Sequence, residues 1–577
     1  MKVRHIRIQN FRGIKSLSWR VKGDFSCIIG PGDTCKSTVL SAVDYALSPR
    51  VALAIDDADF YDQDVENPIL IQVTLADWDE SSPDIATFFQ ESKYAQFKCG
   101  LSDTGPLDEP TEGGIVAVSI SLRIDKSLEP KWWVVKGPDS SDEQDRKAIF
   151  APDRAILGLT RLDTYSDAHF AWGRNSVLTR LSEHSQNDLN ALLSALAREM
   201  RQSDISLNAS VIACQTVADA VKTESIKTGV KLASLSPKLD IQRQSTTGGA
   251  ISLHEGNVPL RHKGSGSKKL IAAAMQMKLH DGKNISLIDE IESGLEPHRI
   301  RGLIFKLKNS PQQIFTTTHS PVVLRELIVG ENDLYVCKRS ADGVVTIESL
   351  ATVPDVQGAV RSNAEALLGS KIVVCEGPTE IGLLRAYDKF RLDQSDPPVW
   401  TLATSYFNAG GGGKIKSAGP KLAALGYKTA VLCDNDAADQ LSVTDIATLR
   451  VSGIHICQWE TGNSTERQLL IEMPWNSVPA LLSTIGESHD TLELSTIINL
   501  IQRNPGTASL ALGADSNGWP ESIALRQIIG DLANEHSWIK RIDYAAKVFR
   551  FALPLLAETS VIRSRLSDLW TWIQQNE

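Results

Sequence analysis

The chain has 577 residues, too many for one hydrophobic core, and on the usual domain length it divides into about three to four folding units. Its 42% hydrophobic and 23% charged residues are ordinary for a globular protein, and a formal net charge of −10 excludes a histone-like coat of positive charge while leaving room for a local basic groove. The eight cysteines have no paired zinc-ligand spacing, no apolar run is long enough to span a bilayer, and the opening residues read as a strand and not a signal peptide; a cytoplasmic protein with no membrane partner is expected.

Residues 3–9 alternate apolar and basic side chains, and Asn10-Phe11-Arg12-Gly13-Ile14 turns the chain into a second strand through Trp19 and Val21, a hairpin-like opening. A strand at 24–29 then runs into residues 30–38 and a helical run at 39–47, close to the phosphate-loop pattern G-x-x-x-x-G-K-[ST]. Gly30 and Gly32 shape the loop, backbone N–H groups and a helix amino end would cradle phosphates, Lys36 would reach the outer phosphates, and Ser37, followed by Thr38, would touch magnesium. Cys35 stands where the pattern has its second glycine, so a side chain crowds the phosphates or strains the loop. The segment therefore favours nucleotide binding over rapid hydrolysis; a glycine-rich turn with an incidental lysine is the bland alternative.

Strand patterns at 69–75, 114–124 and 132–135 suggest an antiparallel sheet whose aromatic residues, Trp132 and Trp133 among them, read as core. The order strand, Asn-Phe-Arg-Gly, strand, phosphate loop resembles the start of ATP-binding-cassette ATPases of the RecF, SMC and OLD (overcoming lysogenization defect) type. Residues 187–228 read as helices, with Leu189, Leu192, Leu193, Leu196 and Met200 at helical spacing and a second helix at 209–222. The resemblance implies a dimerisation arm there; one more packed helical pair is the alternative. Strands resume at 239–242 and 250–254.

Next comes a glycine-rich turn with Ser265, Gly266 and Ser267 opening a helix that carries Leu270 through Leu279, followed by an apolar strand at 285–288 ending in Asp289 and Glu290. By the resemblance, the turn is the signature segment facing a partner's nucleotide, Asp289 holds magnesium through water, and Glu290 orients or deprotonates the attacking water. Residues 293–297 resemble the loop that crosses the dimer interface, and His319 resembles the switch that senses the terminal phosphate. These parts follow in the family's order, although each alone is a weak signal.

After hairpin-like strands at 331–353 and a helical connector at 356–368, Ile372 to Cys375 form a buried strand that stops at Glu376, with Gly377 and Pro378 opening a helix that holds Glu380 in its first turn. The pattern recurs at 429–433, where a second apolar strand ends in Asp434 and Asp436. Four carboxylates are thus delivered to one sheet edge, where open parallel sheets bind ligands, and such clustering calls for a hard divalent cation, Mg2+ or Mn2+. A glutamate on one strand and Asp-x-Asp on the next resembles the Toprim domain of topoisomerases, primases and OLD nucleases; turn and helix-cap acids are the bland reading. Residues 406–413 read as a flexible glycine loop beside Lys414 and Lys416, suited either to approaching a DNA backbone or to a linker. A third strand at 454–459 leads past Glu460 to a capped helix start at 463–470. The OLD resemblance implies a further ligand, carried to Glu466 in preference to Glu460, and a catalytic lysine, carried to Lys540 with Lys547 as the alternative.

The expected fold is α/β: a cassette ATPase head in two parts (1–175 and 236–364), a helical insertion (176–235), and a Toprim Rossmann-like domain with a C-terminal helical region (365–577). The combination resembles the OLD family, with Gabija-type and retron-associated nucleases as relatives. It implies an ATP-regulated, two-metal DNA endonuclease that works as a homodimer or higher even oligomer in anti-phage defence, with a regulatory protein or nucleic acid that restrains or triggers it. The rivals are a non-catalytic ATP-dependent DNA clamp of RecF or SMC kind and a strand-passing or priming Toprim enzyme, the former of the last two lacking a module for its nucleophilic tyrosine.

Overall fold

A computed structural model describes residues 1–138, 143–162, 167, 170–172, 176–182, 209–239, 251–278, 285–331, 334–352, 357–437 and 440–575. Their contacts divide the chain into two units, Met1–Thr352 and Val353–Glu577. The boundary lies ahead of the expected 364/365 because the connector belongs with the second unit: Asn363 exchanges hydrogen bonds with the Asn408 backbone, and Tyr427 Oη donates to the Leu367 carbonyl at 2.8 Å.

In the first unit, Lys2–Phe11 and Ile14–Arg20 form the expected hairpin and continue through Ile69–Ala76, Ile115–Ile124 and Pro130–Val135 as an antiparallel sheet. Burial along the first strand switches parity between Val3 and Ile6, where a bulge between Val3 and His5 shifts the register and returns Ile6 and Ile8 to the core; Phe11, out of step with them, is returned after Asn10, whose φ is 55°. A second sheet has the order Leu159–Leu162, Ile285–Ile288, Gln313–Thr317, Phe25–Ile29, Leu334–Arg339, Val345–Ser349, parallel throughout except for the last pair. Its apolar strands are buried almost completely, as a parallel sheet covered on both faces requires. Three of them, Phe25–Ile29, Ile285–Ile288 and Gln313–Thr317, therefore deliver the phosphate loop, Asp289 and His319 to one edge.

The helix Ala209–Lys227, five residues longer than expected, packs on the helix Ser265–Lys278. The first helix of the expected arm, with Leu189, Leu192, Leu193, Leu196 and Met200, lies outside the described residues, as do 240–242 of one expected strand.

The second unit is built on four parallel strands in the order Thr404–Asn408, Lys371–Cys375, Lys428–Cys433, His455–Gln458. Helices Pro378–Asp393 and Gly412–Ala424 connect them, and a helical region ending in Ile542–Ala552 and Val561–Gln575 shares their core through Ile485, Phe549 and Trp570. The glycine stretch departs from its expectation as a flexible loop. Thr404–Asn408 is a strand, Gly410 and Gly411 turn the chain with φ of 76° and 121°, and Lys414 and Lys416 already lie in the helix that follows. Two consecutive positive φ values need glycine, so the run is a tight strand-to-helix turn.

Candidate functional site

In the first unit the phosphate loop leaves a buried strand and enters the helix Lys36–Leu47 through Cys35, which adopts the left-handed conformation (φ 67°) that glycine would take without strain. Asp33 is also left-handed (φ 58°), a departure that sequence reading missed, although the aspartate was visible in the pattern. The Cys35 thiol is half-buried against the turn of the opening hairpin: a Cβ on Gly13 would lie 2.7 Å from its Sγ. Gly13 thus makes room for the side chain that replaces the loop's glycine. Burial pushes the Cys35 thiol above its ordinary pKa. Gly30 is required for close approach, since a Cβ there would meet the Cys337 carbonyl at 2.4 Å, whereas Gly32 faces open space.

Lys36 is buried and folded back on its own loop, donating to the Gly30 carbonyl at 3.0 Å and to the Pro31 carbonyl, with burial holding its pKa below the usual lysine value. Reaching a phosphate would exchange those carbonyls for phosphate oxygens. Ser37 Oγ donates to Asp289 Oδ1 at 2.9 Å, and Thr317 Oγ1 donates to the same oxygen at 2.5 Å. The two residues expected to share magnesium are therefore adjacent across the sheet edge; Thr38 is half-buried one position on. Glu290 is exposed and left-handed (φ 44°), its N–H donating to Thr317 Oγ1 at 2.8 Å.

His319 is exposed, and its N–H donates to Glu292 Oε1 at 2.7 Å while Thr318 Oγ1 donates to Glu292 Oε2 at 2.6 Å. Glu292 and Thr317 are structural partners that sequence reading passed over; both lie within three residues of motifs that were read. Ser265 and Gly266 open their helix against the next loop, where a Cβ on Gly266 would stand 2.2 Å from the Gly294 carbonyl.

In the second unit four acids gather at the carboxyl edge of the sheet. Glu376 accepts from the N–H groups of Gly412 and Asp434, both at 3.1 Å. Glu380 lies in the first turn of its helix, 3% exposed, with Oε2 accepting from Gly377 N at 2.7 Å. Asp434 Oδ1 accepts from Thr465 N at 2.9 Å, and Glu466, 2% exposed, accepts weakly from Thr379 Oγ1 at 3.4 Å. Their centre is Thr465, whose Oγ1 lies 2.7 Å from Glu380 Oε1 and 2.8 Å from Asp434 Oδ1 while accepting from Trp459 Nε1 at 2.7 Å. A hydroxyl has one proton to donate, so it satisfies only one of the two carboxylates as an anion. The other contact is filled when that carboxyl is protonated.

The electrostatics agree. Burial first, then neighbouring acids, push Asp434 well above its ordinary pKa; burial also raises Glu376 and Glu380, and burial with Glu380 nearby raises Glu466 to about 7. Lys540 is exposed, and its positive charge opposes the rise at Glu380 and Glu466. Asp436 is exposed and accepts from Asn534 Nδ2 at 3.4 Å. Glu460 and Lys547 are both exposed; Glu466 lies next to Thr465 in its helix, and the charge of Lys540, although exposed, is felt at Glu380 and Glu466. The all-oxygen, mutually repelling donor set suits a hard divalent cation. As they stand, no three His, Cys, Asp or Glu side chains among the described residues are arranged to hold one metal ion. Thr465 was missed; the signal was its place beside the cap, where Ser464 Oγ accepts from Arg467 N.

Residues 116–325 match the family described as "AAA domain, putative AbiEii toxin, Type IV TA system". That segment holds Ser265, Asp289, Glu290 and His319 and begins beyond the phosphate loop. No curated protein matches the chain. Among solved structures, an Smc head bound to the C-terminal winged-helix domain of ScpA is 15% identical with a TM-score of 0.36, covering 60% of this chain and 97% of that one. The SMC head domain from Thermotoga maritima is 11% identical with a TM-score of 0.30, covering 60% of this chain and 99% of that one. An Smc head from Pyrococcus furiosus is 12% identical with a TM-score of 0.34, covering 60% and 95%. Likeness at this level bears no weight. The family match supports an ATPase domain in the first unit, and such a domain implies ATP with Mg2+.

Proposed function

We propose that the chain is an ATP-regulated, divalent-metal-dependent DNA endonuclease of Toprim type, acting in anti-phage defence. The observation that carries the reading is the set Glu376, Glu380, Asp434 and Glu466 at a parallel sheet edge, Glu380 and Glu466 buried and Glu376 and Asp434 half-buried, with Thr465 joining Glu380 to Asp434 and ionisation opposed by desolvation and by one another. Four acids are not held in that condition for packing, since burying unpaired carboxylates is costly. Divalent ions held by Glu376, Glu380, Asp434, Asp436 and Glu466 would supply an activated water and stabilise the leaving oxygen. Lys540, whose charge is felt at Glu380 and Glu466, would stabilise the phosphate oxygens as negative charge builds. ATP at Lys36, Ser37 and Asp289, with Glu290 and His319, would gate the nuclease in paired heads.

A DNA clamp without cleavage is favoured by one observation: the acids are satisfied by hydroxyl and backbone N–H groups, and no three are set for a metal. Cleavage of supercoiled plasmid in Mg2+ or Mn2+, with and without ATP, separates the two. Metal-dependent nicking lost in Glu376→Ala and Asp434→Ala is expected. ATP-dependent retention of circular DNA with no cleavage, unchanged in both variants, would establish the clamp.

A further inference from the structure

The helix Ser265–Lys278 carries two adjacent lysines with opposite fates. Lys268 is half-buried and has a carboxylate partner, Asp167 at 2.8 Å, besides the Arg261 carbonyl at 3.3 Å. Lys269 is 6% exposed, and its ammonium donates to two backbone carbonyls, those of Asp289 (3.2 Å) and Glu290. Burying this ammonium is expensive, since the carboxylates of Glu292, Glu290 and Asp289 offset only part of its desolvation, and a Met or Leu of similar reach would fill the volume without that cost. The contact therefore has a use beyond packing, and what it grips defines that use.

Asp289 and Glu290 are the acids assigned to magnesium and to the attacking water, and Glu290 sits in the left-handed region (φ 44°), where a glutamate does not stay unaided. Three groups hold it: Thr317 Oγ1 accepts from its N–H, and both the Ser293 N–H (2.9 Å) and Lys269 donate to its carbonyl, Lys269 alone reaching it from another element. Lys269 thus fixes the two peptide planes that flank the Glu290 Cα, from one turn inside the helix whose first residues are Ser265 and Gly266. The same helix end bears on the next loop, Gly266 lying so close to the Gly294 carbonyl that only glycine fits. A shift of this helix moves the peptide carrying Glu290.

We propose that Lys269 is a positioning residue that couples the helix opened by Ser265 and Gly266 to Glu290 of the same chain, so that nucleotide docked on that helix end by a second head sets the competence of the chain's own site. This rests on the reading of the first unit as an ATPase working in paired heads. Lys269 meets Asp289 and Glu290 only at their backbone carbonyls and leaves their carboxylates free, so its loss should spare binding and sever communication.

The test uses the full chain as wild type, Lys269→Met and Lys269→Arg, with hydrogen exchange followed with and without ATP and Mg2+, and with steady-state ATP hydrolysis. In the wild type, ATP is expected to protect peptides from both residues 25–40 and residues 285–296. In Lys269→Met, protection at 25–40 should persist, protection at 285–296 should be lost, the turnover rate should fall at least tenfold with KM changed less than threefold, and the Hill coefficient should drop to 1. Lys269→Arg, which keeps the charge and donors, should recover protection at 285–296. Equal protection at 285–296 in wild type and Lys269→Met overturns the proposal, as does a variant that loses protection in both regions with a lowered melting temperature and no recovery by arginine. Absence of protection at 25–40 in the wild type itself would instead overturn the ATPase reading and this coupling with it.

Discussion

Replacing Glu466 by glutamine should stabilise the metal-free protein, and by an amount that depends on pH. Glu466 is 2% exposed, and burial with Glu380 as neighbour raises its pKa from 4.5 to about 7. For an acid whose folded pKa is raised, the folded state holds the proton more tightly, so stability is greatest at low pH and declines as pH rises from the unfolded value through the folded one. The ionisation penalty is nearly complete by pH 8, where a rise from 4.5 to about 7 is worth about 3 kcal/mol at 1.36 kcal/mol per pH unit. At pH 5 the penalty is under about 1 kcal/mol. Glutamine keeps an oxygen for Thr379 Oγ1 and removes the charge, and it also relieves Glu380 and Asp434, whose pKa values are raised alongside. For a unit of this size the gain at pH 8 corresponds to roughly 6–12 °C in melting temperature. Thermal unfolding followed by tryptophan fluorescence at pH 5 and pH 8, with EDTA or with Mn2+, reads it. Mn2+ should stabilise the wild type more than the variant, because only the wild type offers the fourth carboxylate. A Glu466→Gln protein no more stable than wild type at pH 8 in EDTA would refute the claim that these acids repel one another in the folded state.

Cys35→Gly should raise the turnover of ATP several-fold with little change in binding, because it removes a side chain from a left-handed position in the phosphate loop; equal turnover would mean that the loop tolerates the strain. Gly13→Ala should weaken nucleotide binding in the wild type, since its methyl would meet the Cys35 Sγ at 2.7 Å, and should be harmless in the Cys35→Gly background; an additive double mutant would show that the two sites are independent. Asp388, buried and accepting from Tyr406 Oη at 2.6 Å, has its pKa raised by burial from 3.8 to about 6. Wild type should therefore lose about 3 kcal/mol relative to Asp388→Asn as pH rises from 3.8 to about 6, with no further change above; urea unfolding of both proteins across pH 4–8 measures the difference, and parallel curves would refute the assignment.

What the sequence revealed and what it hid divide along a physical line. Buried parallel strands are legible because they must be continuous apolar runs, so 372–375, 429–433 and 285–288 announced themselves and carried their terminal acids with them. Thr404–Asn408 escaped because its burial is partial: Ser405, Tyr406 and Asn408 are only half-buried on the sheet's outer strand, and no apolar run results. The glycine stretch after it was taken for looseness, when positive φ at Gly410 and Gly411 makes it a rigid turn. Side chains that act on other side chains were hardest to see. Thr465, Glu292 and Lys269 carry no motif of their own, and each is defined only by what folding brings to it: two carboxylates, a histidine N–H, and a pair of carbonyls. Pattern reading locates the groups that would meet a substrate, because their chemistry fixes their type and order. The groups that hold those in place are set by distance in three dimensions, and a threonine at a helix start or a lysine in a helix looks the same in sequence whether it faces water or a buried acid.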